Sequence, residues 1–152
     1  MSMSVFLVPL AIALCATASE TISDIVDKCR NSNHYEPIQT KFNDHDLLVK
    51  TLEEHGLNVA VYGNNKIAVT SGAGRLIYER DNANLPYSID LKDVSNIDCL
   101  ANDLSELENE YDRNVQSFTY NKVLKNLPSD MTIIEDEVLE DESILLTISV
   151  SD

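Results

Sequence analysis

Basic side chains are scarce in this chain: 11 Lys and Arg stand against 26 Asp and Glu, a formal charge of −15 over 152 residues, with a pI near 4.3. Nucleic-acid binding needs basic groups that displace the counterions of phosphate, and no basic cluster is present to supply them. The same scarcity argues against binding to an anionic membrane surface. A basic protein partner is compatible with the charge, as is a surface that serves solubility alone. Tryptophan is absent, and the rare cysteines, Cys15, Cys29 and Cys99, form no Cys-x-x-Cys pair and make an odd number. That pattern points away from a zinc ribbon and from a closed disulfide framework, leaving buried free thiols as the simpler reading. If Cys15 left with a cleaved leader, Cys29 and Cys99 would form an even pair in an oxidising compartment.

Catalytic signatures are lacking as well. The chain has no GxxxxGK[ST], no GxGxxG after a strand, no HExxH and no GxSxG. Gly72-Ala73-Gly74 is too short to cradle phosphate and reads as a turn. The imidazoles are His34, His45 and His55, and the last two lie ten residues apart on one expected helix. A metal pair on a helix uses a spacing of about three or four, so these read as surface or cap residues. Glu135-Asp136-Glu137 and Glu140-Asp141-Glu142 lack the residue order of a calcium loop. They read instead as a negative hairpin edge that repels edge pairing. No catalytic residue, metal ligand or cofactor is expected; an enzyme would have to draw on Tyr62, Tyr78, Arg75 or Arg80 around a pocket in the sheet.

What the chain does have is an apolar opening from Val5 to Ala18. A membrane-spanning helix needs about 20 apolar residues; this run is shorter and contains Pro9. A secretory signal peptide fits the run length and the small residues Ala16-Thr17-Ala18, but no Lys or Arg precedes Lys28. The third reading keeps the run as a strand or helix that packs on the domain or on a second copy. Its candidate interface is Val5, Phe6, Leu7, Leu10, Ile12 and Leu14. Thr21 to Asn31 reads as a short helix with Ile22, Ile25, Val26 and Cys29 on one face. The expected division is therefore residues 1–31, leader and short helix, and residues 32–152, one domain large enough to fold unaided.

Within that domain the periodicity alternates. Tyr35 to Phe42 predicts a strand, and Asn43-Asp44 caps a helix with Leu47, Leu48 and Leu52 as its buried stripe, ending at Gly56. Leu57–Tyr62, Lys66–Thr70 and Arg75–Arg80 predict a meander joined by Gly63-Asn64-Asn65 and Gly72-Ala73-Gly74. After a polar loop, Tyr87, Ile89 and Leu91 alternate as a half-buried strand. A long helix is expected from Ser95 or Asn96, with the stripe Leu100, Leu104, Leu107 and Tyr111 facing the sheet. Phe118 to Leu127 continues it after a bend, and Pro128 ends it. Met131–Val138 and Ile144–Val150 predict a closing hairpin. The fold class is α+β: an antiparallel sheet with helices on one face, a two-layer sandwich, behind an apolar N-terminal segment.

From Tyr35 to Val150 this order resembles the Ycf35-like (DUF1257) family of plastid, cyanobacterial, bacterial and phage genomes. His34-Tyr-Glu-Pro-Ile-Gln-Thr-Lys-Phe42 is similar to the family's opening strand, and Asp46 to Gly56 to the helix that follows it. Tyr111 to Leu124 is similar to its aromatic-rich helix, and Glu135 to Val150 to its last hairpin. The chain departs from the family in its apolar leader and in Ser88-Ile-Asp-Leu-Lys-Asp93, which stands where members often carry Val-Ala-Asp-Trp. Members are often encoded beside AAA-type ATPases, so the resemblance implies an accessory or adaptor protein and no enzymatic role. The expected function is a non-enzymatic protein-binding or assembly module, engaging a protein partner or itself, in the cytoplasm or within an assembly. A small secreted or periplasmic protein matured after Ala18 is the alternative.

Overall fold

A computed structural model of the chain describes residues 2–7, 27, 37–140 and 142–151. Among these, two helices and eight strands in two antiparallel sheets make an α+β fold. The strands do not form the single sheet that was expected. Backbone contacts divide the chain into two units, Ala18–Tyr111 and Met1–Thr17 with Asp112–Asp152. The expected helix over Thr21–Asn31 lies outside the described residues except for Asp27, which is helical.

The first unit holds a five-stranded sheet in the order β2-β6-β5-β4-β3, with β2 at Ile38–Gln39, β3 at Asn58–Val61, β4 at Lys66–Ser71, β5 at Gly74–Glu79 and β6 at Ser88–Asp90. Helix α1, His45–Glu54, begins where Asp44 Oδ1 accepts the Leu47 N–H at 2.9 Å, satisfying a donor that has no partner within the helix. Leu48, Thr51 and Leu52 form its buried stripe, with Leu47 half-buried beside them. It stops at Gly56, whose φ of +80° is a conformation that glycine adopts without strain.

Register puts Ile38, Ile89, Tyr78 and Ile67 in one row across the sheet, with Val69 and Leu76 in the next row on the same face. All six are buried. Helix α2, Ile97–Lys125, starts at Asn96, whose Oδ1 accepts the Cys99 N–H at 3.1 Å. Its stripe Leu100, Leu104, Leu107 and Tyr111 is buried as expected. The ring of Phe42 lies edge-on to Tyr111 at 4.9 Å and tilted to Tyr78 at 6.2 Å, so the three aromatics fill the core together. Tyr87, Ile89 and Leu91 alternate as expected of a half-buried strand: all three are buried, while Ser88 and Asp90 between them are partly exposed.

Two turns show why glycine stands where it does. The β3–β4 turn has Gly63 at φ +69°, and the β4–β5 turn has Gly74 at φ +117°. A side chain at Gly74 would put its first carbon 2.5 Å from the Asp93 carbonyl oxygen. The neighbouring Ala73 carbonyl accepts the Ser95 N–H at 2.8 Å, so this turn is docked against the start of α2.

The second unit is a three-stranded sheet in the order β1-β8-β7, with β1 at Ser2–Leu7, β7 at Met131–Val138 and β8 at Ile144–Val150. The second half of α2 belongs to it. α2 runs unbroken through the junction expected before Phe118 and ends at Lys125, with no proline or glycine within it. Leu146 and Ile148 are the buried apolar residues of this unit among the described residues. Tyr120 donates its hydroxyl to Asp136 at 3.0 Å, and Gln116 Nε2 donates to the Glu142 carbonyl at 2.6 Å, tying helix to hairpin.

Candidate protein interface

The apolar opening enters the fold at β1. Its six residues pair antiparallel with β8 along their whole length: Ser2 with Ser149, Met3 with Ile148, Ser4 with Thr147, Val5 with Leu146, Phe6 with Leu145 and Leu7 with Ile144. The candidates Val5, Phe6 and Leu7 therefore occupy a strand opposite the most apolar part of β8. Leu10, Ile12 and Leu14 lie outside the described residues.

β1 ends its sheet, and among the described residues no strand pairs with its other edge. Nothing in Ser2–Leu7 carries a charge, and Met3 is 48% exposed. Natural edge strands are commonly protected by lysine, proline or inward-pointing charge. β1 has none of these.

At the opposite end of the sheet, β7 carries Glu135, Asp136 and Glu137 between the exposed Ile134 and Val138. Asp136 accepts the Tyr120 hydroxyl, and this hydrogen bond, with lesser contributions from burial and the carboxylate charge, raises the tyrosine pKa. The hairpin turns through Leu139, whose N–H donates to the Ser143 carbonyl at 2.8 Å, and through Glu142, held at φ +64°.

The residues named for an enzymatic alternative do not converge. Tyr62 is exposed beside the β3–β4 turn, and Arg75 is exposed on β5 opposite Thr70. Tyr78 is buried, and burial followed by the Asp103 charge drives its hydroxyl pKa far above the ordinary value. It borders a cavity of about 10 Å³, lined also by His55, Leu76, Asp103, Leu104 and Leu107, which has room for little more than a water molecule.

Arg80 is 8% exposed. It donates through Nε and Nη2 to the Asn64 carbonyl at 3.1 and 2.8 Å and through Nη1 to the Asn43 carbonyl at 2.8 Å. Its guanidinium lies 4.4 Å from the centre of the Tyr87 ring. Tyr87 in turn donates its hydroxyl to the Asn64 carbonyl at 2.6 Å and meets His45 Nδ1 at 2.6 Å. Tyr111 closes a neighbouring knot: its hydroxyl accepts the Asp44 N–H at 3.0 Å and donates to Asn43 Oδ1 at 3.0 Å. Spent on backbone carbonyls, the guanidinium ties the β3–β4 turn to the start of α1. Sequence reasoning missed this role, because nothing local distinguishes Arg80 from a surface arginine.

The remaining polar candidates are separate. His45 and His55 have different partners, the latter with Nδ1 3.1 Å from Glu110. His34 lies outside the described residues. Among the described residues no group of His, Cys, Asp and Glu is arranged to hold a metal ion. Cys99 is a free thiol whose pKa is pushed up by desolvation and then by Asp103, 3.8 Å from its sulfur, while Cys29 lies outside the described residues.

No family model matches this chain, and no curated protein or solved structure matches it either. No helix among the described residues is long and apolar enough to cross a membrane.

Proposed function

We propose that this protein is a non-enzymatic binding or assembly module whose apolar front segment makes protein contacts, with itself or with a partner. The observation that carries this reading is the pairing of Ser2–Leu7 with Ile144–Val150. A signal peptide removed after Ala18 would take β1 with it and strip β8 of one neighbour. Retention keeps the sheet whole and leaves Leu10, Ile12 and Leu14 close in sequence to an uncharged edge. A membership of the Ycf35-like family fits this role, and with it a place as accessory to an AAA-type ATPase in the cytoplasm or within a larger assembly. The competing reading, a secreted or periplasmic protein, rests on Ala16-Thr17-Ala18.

Light scattering and circular dichroism on the full chain and on a Leu7→Glu/Ile12→Glu variant test the self-association form of this reading. The native chain is expected to run as an oligomer and the variant as a monomer of unchanged helix content. A native monomer would remove self-association, leaving only a partner protein. Mass spectrometry of native material decides retention: a terminus at Met1 or Ser2 supports it, and a start at Ser19 overturns the proposal in favour of secretion.

A further inference from the structure

The outer edge of β7 supports a second binding surface, independent of the front segment. β7 ends the sheet on the side away from β1, so alternate residues direct backbone N–H and C=O groups toward no other strand among the described residues. A bulge between Ile133 and Glu135 leaves Ile134 without a partner on β8, and such a bulge re-aims the extra side chain. Ile134 is 60% exposed and Val138 70%, and between them lie three carboxylates. Register places Glu135 and Glu137 on one face, opposite Thr147 and Leu145, and Asp136 on the other, opposite the buried Leu146. Asp136 is engaged by Tyr120. Among the described residues no cation pairs with Glu135 or Glu137; the nearby Arg113 pairs instead with Glu142, at 3.7 Å.

Such an edge discriminates between strands. A second copy would bring carboxylates against carboxylates, which is unfavourable across a ladder, whereas a strand with Lys or Arg at alternate positions would set opposite charges against Glu135 and Glu137. An edge designed only to repel needs no large apolar side chains in solvent. Here Ile134 and Val138 bracket the charges and offer apolar contact to an added strand.

We propose that β7 accepts, by antiparallel strand addition, an extended segment of a partner protein in which basic and apolar residues alternate. Basic side chains meet Glu135 and Glu137, and apolar ones lie along Ile134 and Val138.

Fluorescence anisotropy tests this with a labelled peptide of alternating lysine and valine titrated with the full chain. Controls are a glutamate–valine peptide of equal length and the lysine–valine peptide N-methylated at alternate residues, which keeps the charge and removes main-chain donors. The plain lysine–valine peptide is expected to bind, weakening about tenfold between low and high salt. The N-methylated and acidic peptides are expected not to bind. An E135K/E137K variant should lose the lysine–valine peptide and gain the glutamate–valine one. Equal binding of the N-methylated peptide would reduce the effect to general charge attraction and overturn the proposal, as would retention of the lysine–valine peptide by a folded variant. Should the variant not fold, the N-methylation comparison on the native chain decides alone.

Discussion

The five-stranded unit buries Phe42, Leu48, Leu52, Ile67, Leu76, Tyr78, Tyr87, Ile89, Leu91 and Leu100 and leaves Val61, Tyr62 and Leu85 exposed, whereas among the described residues the three-stranded unit buries the apolar Leu146 and Ile148 and leaves Met3, Phe118, Leu124, Ile134 and Val138 exposed. One unit has closed its core with interlocking aromatics. The other has one uncharged edge and one acidic edge bracketed by apolar residues. Apolar surface left in water is what association can remove, so binding is sought in the second unit, which holds five of the eight large exposed apolar side chains among the described residues.

This contrast can be broken most forcefully in the five-stranded unit. Phe42→Ala empties a site between Tyr78 and Tyr111 and is expected to lower stability by about 3 to 5 kcal/mol in urea unfolding. A loss under about 1 kcal/mol would mean that this core is not the closed one described. Next in size is Arg80→Lys. A lysine cannot reproduce the fork that reaches the carbonyls of Asn64 and Asn43, and the loss is expected at about 2 kcal/mol, with the β3–β4 turn amides exchanging faster. Unchanged exchange there would show that the guanidinium does not tie the turn.

The smallest effect sharpens the contrast from the other side and has the opposite sign. Glu142 sits at φ +64°, and its ion pair with Arg113 joins two largely exposed side chains, so it contributes little. Glu142→Gly relieves the left-handed strain and should raise stability by about 0.5 kcal/mol, read as a small increase in melting temperature. A clear decrease would mean that the Glu142 side chain matters more than its backbone.

Much of the five-stranded unit was legible because its elements are specified locally. Asp44 as a cap, Gly56 as a stop, the Gly63 and Gly74 turns and the Leu100-Leu104-Leu107-Tyr111 stripe each follow from a few adjacent residues. The closing hairpin was legible for the same reason. What was not legible depends on partners far apart in sequence. Ser2 meets Ser149, and no periodicity in either strand announces that pairing or the division of the strands into two sheets. The burial of Arg80 likewise depends on neighbours that the linear chain does not specify. Of the candidate interface, the sequence pointed to the apolar run as a strand or a helix, but not to β8 as the neighbour of Val5, Phe6 and Leu7.

The central claim is that the front of the chain is a working strand of the folded protein. Nuclear Overhauser contacts across the β1–β8 ladder of the full chain test it most directly. The account predicts backbone contacts in the register that sets Met3 opposite Ile148 and Val5 opposite Leu146, with extended chemical shifts from Ser2 to Leu7. Coil-like shifts over those residues, with no contact to β8, would contradict it.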